Sequence, residues 1–166
     1  MQQSVNRIAR RVGIALGIGG VLTALVLPAD PAAAVVGQKV CGPGFSWVTS
    51  SIGAHGKLMQ YTNKSSKQVC AILMSTGKAS GTAKKMTVTI KLTHDTDRNG
   101  SPAGNAVVRT KTDSGTYKYY AGPVYVSYKG LNIKPGAVGP KAYSIVMRSS
   151  LTYKGSTQQL SMDGQM

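Results

Sequence analysis

The segment KKMTVTIKLT alternates strictly, with Met86, Val88, Ile90 and Leu92 on one side and Thr87, Thr89, Lys91 and Thr93 on the other. A side-chain period of two marks a strand with one buried and one wetted face. AYSIVMRSSLTYK repeats the pattern, with Tyr143, Ile145, Met147, Leu151 and Tyr153 in phase and only Ser149 breaking the apolar row. QVCAILMS is apolar in both phases, which predicts an interior strand covered on both sides. Cys70, Ile72 and Met74 share one of its faces, so a bridge from Cys70 is expected to point into the core.

Weaker alternation predicts further strands over residues 46–50, 58–63, 106–112, 115–120 and 124–129. Clusters rich in Gly, Asn, Ser and Pro separate them: TNKSSK, STGKASGTA, DRNGSPAGN, TDSG, AGP and KPGAVGP. Seven or eight short strands without a convincing helix predict an all-β domain, either an antiparallel β-sandwich or a small barrel. No repeat or linker divides it. The closing GSTQQLSMDGQM has little periodicity, so residues 156–166 are expected to form a loose C-terminal tail.

The N-terminus follows a different logic. Arg7, Arg10 and Arg11 precede an uncharged apolar run over residues 12–27, and Ala32, Ala33 and Ala34 fit a small-residue cleavage site. The run is shorter than the ~20 residues of a spanning helix. Residues 1–34 therefore read as a signal peptide that is removed on secretion, leaving one β domain over 35–155 and the tail.

The inferred mature chain of 132 residues is long enough for a hydrophobic core. Loss of Arg7, Arg10, Arg11 and Asp30 leaves 17 Lys and Arg against four Asp and no Glu, a net charge of +13. Such an excess attracts polyanions. Outside the cell these include anionic wall or spore-surface polymer and extracellular nucleic acid. No feature points to a particular protein partner. Cys41 and Cys70 are the only cysteines, and in an oxidising compartment one pair closes one disulfide. No cofactor motif occurs.

HDTDRNGSPAGN opens like a calcium loop, with Asp95, Asp97, Asn99 and Gly100 in position. The twelfth position is Ala106 where a bidentate Glu is needed, and Arg98 would oppose a cation. Asp95, Asp97 and Asn99 are therefore read as turn residues rather than metal ligands.

Catalytic constellations are sparse. His55 and His94 are the only histidines; brought together with a lysine, they could cleave RNA as a secreted ribonuclease. Asp95, Asp97, Asp113 and Asp163 are poor candidates for a glycosidase pair, and no G-x-S-x-G elbow occurs. The expectation is a protein without catalytic residues. YKYYAGPVYVSYK, residues 117–129, interleaves aromatic and basic positions. Tyr117, Tyr119, Tyr125 and Tyr128 with Lys118 and Lys129 form a candidate polyanion or aromatic face, stacking on sugars or bases while the ammonium groups hold phosphate. The competing expectation is that these tyrosines simply cover a sheet. Pro123 in AGP reads as a bulge or bend, because it cannot donate to a ladder.

The same run carries a resemblance. DSGTYKYYAGPVYV, residues 113–126, resembles the signature of the spore-associated protein A family of spore-forming filamentous bacteria. CGPGFSWVTSSIG, a strand with Tyr61, and then QVCAILM are similar in order and spacing to that family's N-terminal half. The resemblance spans residues 41–129 and implies that Cys41–Cys70 is the family's first disulfide. Family members carry a further cysteine pair after YAGPVYV, where this chain has none. Its charge and lack of Glu also depart from typical members. The resemblance implies a small secreted β protein found with spores or aerial filaments, and brings no catalytic residues. The resulting expectation is a secreted, cationic, non-catalytic surface protein that holds anionic wall polymer electrostatically. The alternative is a secreted antimicrobial, inhibitory or ribonuclease-type effector.

Overall fold

The computed structural model describes residues 39–94, 106–133 and 143–166. The expected signal peptide over 1–34 and the Asp95, Asp97 and Asn99 motif lie outside them. Eight strands follow in order: β1 (Ser46–Ile52), β2 (Gly56–Asn63), β3 (Gln68–Ser75), β4 (Lys84–His94), β5 (Ala106–Tyr117), β6 (Tyr120–Ser127), β7 (Tyr143–Tyr153) and β8 (Ser156–Gln165). They form two antiparallel four-stranded sheets, β1-β2-β3-β6 and β5-β4-β7-β8. The chain is a sandwich rather than a closed barrel.

The strict alternation of β4 becomes the centre of the core. Met86, Val88, Ile90 and Leu92 are buried against Leu58, Val69, Ala71 and Leu73 of the first sheet and Ile145, Met147 and Leu151 of β7. Ser149 sits in that apolar row at 6% exposure, and its hydroxyl donates to the Leu160 carbonyl at 3.4 Å. A buried hydroxyl with a partner avoids the cost of an orphaned one.

β3 is interior, as its doubly apolar sequence predicts, but its faces serve two cores. Val69, Ala71 and Leu73 face the second sheet. Cys70 and Ile72 instead join Cys41, Phe45, Met59 and Tyr61 in a smaller cluster on the outer face of the first sheet. The disulfide Cys41–Cys70 therefore does not enter the main core; it pins the N-terminal segment over an otherwise exposed apolar face.

Three further expectations need correction. The TDSG cluster is not a turn: β5 runs unbroken, with Asp113 opposite Val88 and Gly115 opposite Met86. Asp113 has no need to close a local turn, because its carboxylate accepts from the Tyr117 hydroxyl and the Gly122 amide, both at 2.6 Å. The strand expected over 124–129 starts earlier, at Tyr120, and bends at a bulge where Gly122–Pro123 meets the register shift between Ala71 and Leu73. Gly122 has φ of +94°, and a Cβ there would lie 2.8 Å from the Ala71 carbonyl oxygen, so the position requires glycine.

The third concerns the C-terminus, which is no loose tail. β8 pairs with β7 along its whole length, and Leu160 and Met162 pack on the core. Its alternation is disguised because two core-facing positions are Gln158 and Gly164. The Gln158 side-chain oxygen accepts the His55 amide at 2.8 Å, a long-range polar contact that no local pattern reveals.

Candidate functional site: basic ends, a hydroxyl face and a cleft

All four strands of the second sheet project hydroxyls outward. Across the rows of the register, Thr87 stands beside Ser114 and Ser150, and Thr89 beside Thr112. Thr152 stands beside Thr157. The hydroxyls pair across strands: Thr87–Ser114 at 2.8 Å, Thr89–Thr112 at 2.9 Å and Thr152–Thr157 at 2.9 Å. These side chains form a polar surface around a hollow of about 430 Å³, with Arg148 beside Thr89 and with Lys85 and Lys91 in the same phase of β4. The period-two signal in β4 and β7 foretold a wetted face, but not its continuation through β5 and β8.

The six residues of the aromatic-basic run do not share one surface. Tyr117, Lys118 and Tyr119 lie at the β5–β6 connection, where Tyr119 is 60% exposed. Tyr125 lies on the outer face of the first sheet, its ring 5.8 Å from Phe45 and its hydroxyl donating to the Cys41 carbonyl at 3.2 Å. Tyr128 and Lys129 follow the far end of β6. Seven residue steps along β6 separate the two groups, about 23 Å at the usual strand rise. The alternation of a strand and its length therefore divide what the linear run places together. Tyr125 follows the structural expectation of covering a sheet.

The β5–β6 connection is held from below. The Lys84 ammonium, 4% exposed, donates to the carbonyls of Lys118 at 2.7 Å and Tyr117 at 3.5 Å. The Ser75 hydroxyl bonds the Lys118 and Tyr119 carbonyls at 3.0 and 2.9 Å. Burial lowers the Lys84 pKa from its ordinary value. The Tyr117 pKa is raised by its bond to the Asp113 carboxylate, with burial and the negative charge adding in the same direction. Burial raises that of Tyr125.

His55 and His94 do not meet. The His55 ring lies 5.3 Å from Tyr153 and the His94 ring 4.9 Å from Tyr143, at opposite ends of β7. Ten residue steps between those tyrosines correspond to about 33 Å. The strand that carries their neighbours therefore keeps these two imidazoles apart within one chain.

The lysines concentrate at both ends of the sandwich. One end carries Lys78, Lys118 and Lys154, with the Lys154 ammonium 5.6 Å from the Tyr153 ring centroid. The other carries Lys64, Lys67 and Lys129, with Lys67 6.0 Å from the Tyr128 ring centroid. Both aspartates among the described residues are engaged internally. Asp113 takes Tyr117 and Gly122, and Asp163 takes both terminal nitrogens of Arg148, the Nη2 bond at 3.0 Å. The bidentate pair holds the Arg148 pKa above its ordinary value.

A cleft of about 900 Å³ opens at the Lys64 end, between the two sheets. Val48, Val69, Leu131, Ile145 and Met166 supply apolar walls, and Lys64, Lys67 and Lys129 line its margin. Sequence reasoning missed it. Its walls come from five separated segments, and the sole local hint was the alternation of lysine with Tyr128.

No family model matches the chain. It is 34% identical to Spore-associated protein A of Streptomyces coelicolor (strain ATCC BAA-471 / A3(2) / M145) over 145 residues, covering 82% of this chain and 80% of that protein. Identity at that level across most of both sequences shows that the chain belongs to the spore-associated protein A family.

Proposed function

We propose that this protein is a secreted, non-catalytic component of the spore or cell surface, retained there by electrostatic contact with anionic wall polymer. The observation that carries the reading is the inequality of its charges. Among the described residues, 12 lysines and two arginines stand against two aspartates, and both aspartates are already bonded within the fold. The lysine-rich ends are left to attract outside anions. The hydroxyl face between them suits sugar or polyol units of the same polymer.

Each exposed lysine contributes weakly on its own, so binding is distributed and falls as salt screens it. A producing culture separated into medium, vegetative walls and spores tests this. The protein is expected with spores or walls, is released by a rising salt gradient, and does not turn over RNA. Recovery in the medium alone, or retention indifferent to salt, would overturn the reading in favour of a freely acting effector.

A further inference from the structure

We propose that the cleft at the Lys64 end binds a single-chain amphiphile with a phosphate head, the chain lying between the sheets and the head on the lysine margin. The proposal is independent of polymer retention, which needs no apolar cavity.

The cleft continues the core. Val69 and Ile145 are 1% and 2% exposed, yet both line it, so its floor is the outer limit of the sandwich interior. Above them Leu131 and Met166 are half-buried and Val48 is 48% exposed, forming an apolar wall that reaches solvent. Its size of about 900 Å³ lies within the usual range for ligand cavities. An open recess floored by Val69 and Ile145 and walled by Val48, Leu131 and Met166 can take an alkyl chain entering from outside.

The head group is specified by charge. Lys64 and Lys67 belong to the β2–β3 turn, and Lys129 follows β6. Those two segments are tied together: the Lys67 carbonyl accepts the Tyr128 amide at 2.9 Å and the Ser127 hydroxyl at 3.3 Å. The three lysines thus sit on one braced margin. Asp113 and Asp163 are engaged elsewhere, as described above. Ammonium groups act as point charges toward phosphate, and three of them favour its double charge over a single carboxylate.

The two contributions differ in size. Exposed lysines screened by water orient the head but bind it weakly. Each methylene removed from water strengthens binding about fourfold. Chain length should therefore set affinity, and charge should set the choice of head.

The test is calorimetric titration of the full secreted chain with alkyl phosphates of 8, 10 and 12 carbons (a probe series chosen on the order of the fourfold step), below their micelle concentrations. Alkyl carboxylates, alkyltrimethylammonium salts and inorganic phosphate serve as comparisons. Expected are one saturable site, affinity rising about fourfold per methylene until the cleft is filled, and phosphate heads preferred over carboxylate. Inorganic phosphate should bind far more weakly than any long-chain phosphate. Val48→Glu, at an exposed position on the wall, should weaken the 12-carbon phosphate about tenfold or more without changing the melting temperature, as one added repulsive charge predicts. Replacing Lys64, Lys67 and Lys129 by Ser should abolish the head preference while keeping the dependence on chain length. Equal binding of cationic and anionic chains, many sites per molecule, or no dependence on chain length would each overturn the proposal. Loss of salt-sensitive wall retention with the cleft titration intact would refute only the surface reading.

Discussion

The Tyr117 hydroxyl donates to Asp113 Oδ1 at 2.6 Å, while the other oxygen of that carboxylate takes the Gly122 amide. One side chain thus ties the end of β5 to the bulge of β6, across the edge where the two sheets meet. The bond to a carboxylate raises the Tyr117 pKa. With the folded value above the unfolded one, the stabilisation is fully present below the ordinary tyrosine range near 10 and is lost as pH climbs through the raised value. Ultraviolet titration should show Tyr117 and Tyr125 ionising above the ordinary tyrosine range. Asp113→Asn should return Tyr117 toward the ordinary value and leave Tyr125 late, because burial alone holds the latter.

Cys41 and Cys70 lie 29 residues apart in sequence and close the N-terminal segment over the first sheet. Replacing both by Ser should lower stability by about 3–4 kcal/mol on the chain-entropy estimate. The damage should be local. Met59, Tyr61 and Ile72 lose their cover, so a dye for exposed apolar surface should bind the variant while the β signal in circular dichroism persists.

Truncation after Tyr153 removes β8, uncovering the edge of β7 and the partners of Leu160 and Met162. An exposed edge beside a core missing two apolar side chains is both unstable and prone to pair with other chains. The truncated protein should be insoluble or unfolded. A folded, monomeric product would show that β8 is dispensable.

Lys84 is buried on backbone carbonyls rather than on a carboxylate. Its lowered pKa means that the folded state sheds a proton before the unfolded chain does. Stability should therefore rise with pH between that lowered value and the ordinary lysine value near 10.5. Lys84→Met should be within about 1 kcal/mol of the parent at neutral pH, since an apolar replacement for a buried charge is often near neutral. The Lys118 carbonyl keeps the Ser75 hydroxyl and the Gly81 amide. The variant should lose the rising contribution of Lys84, which the difference between parent and variant denaturant midpoints across about pH 8–11 would reveal.

Retention on walls should depend on the basic ends. Replacing Lys78, Lys118 and Lys154 by Ser should shift elution from isolated walls to lower salt, because each lost contact removes a share of the counterion release. Elution at an unchanged salt concentration would remove that end from the contact.

Alternation within KKMTVTIKLT and AYSIVMRSSLTYK determined the inner faces of β4 and β7, because a strand's period is a local property. The all-β class, the cystine and the irregularity at Pro123 were legible for the same reason: each follows from residues close in sequence or from the only two cysteines present. The choice of sandwich over barrel came instead from the pairing of distant strands. Tertiary structure alone decided what depends on distant segments. It placed the cystine outside the main core, made β8 from a segment whose alternation Gln158 and Gly164 conceal, and kept β5 whole by giving Asp113 partners beyond its own turn. It also dispersed the tyrosines of the 117–129 run, set His55 and His94 at opposite ends of one strand, and assembled a cleft from five separated segments. Periodicity names the buried side of each strand; only the stacking of two sheets determines which buried sides meet and where a gap between them remains.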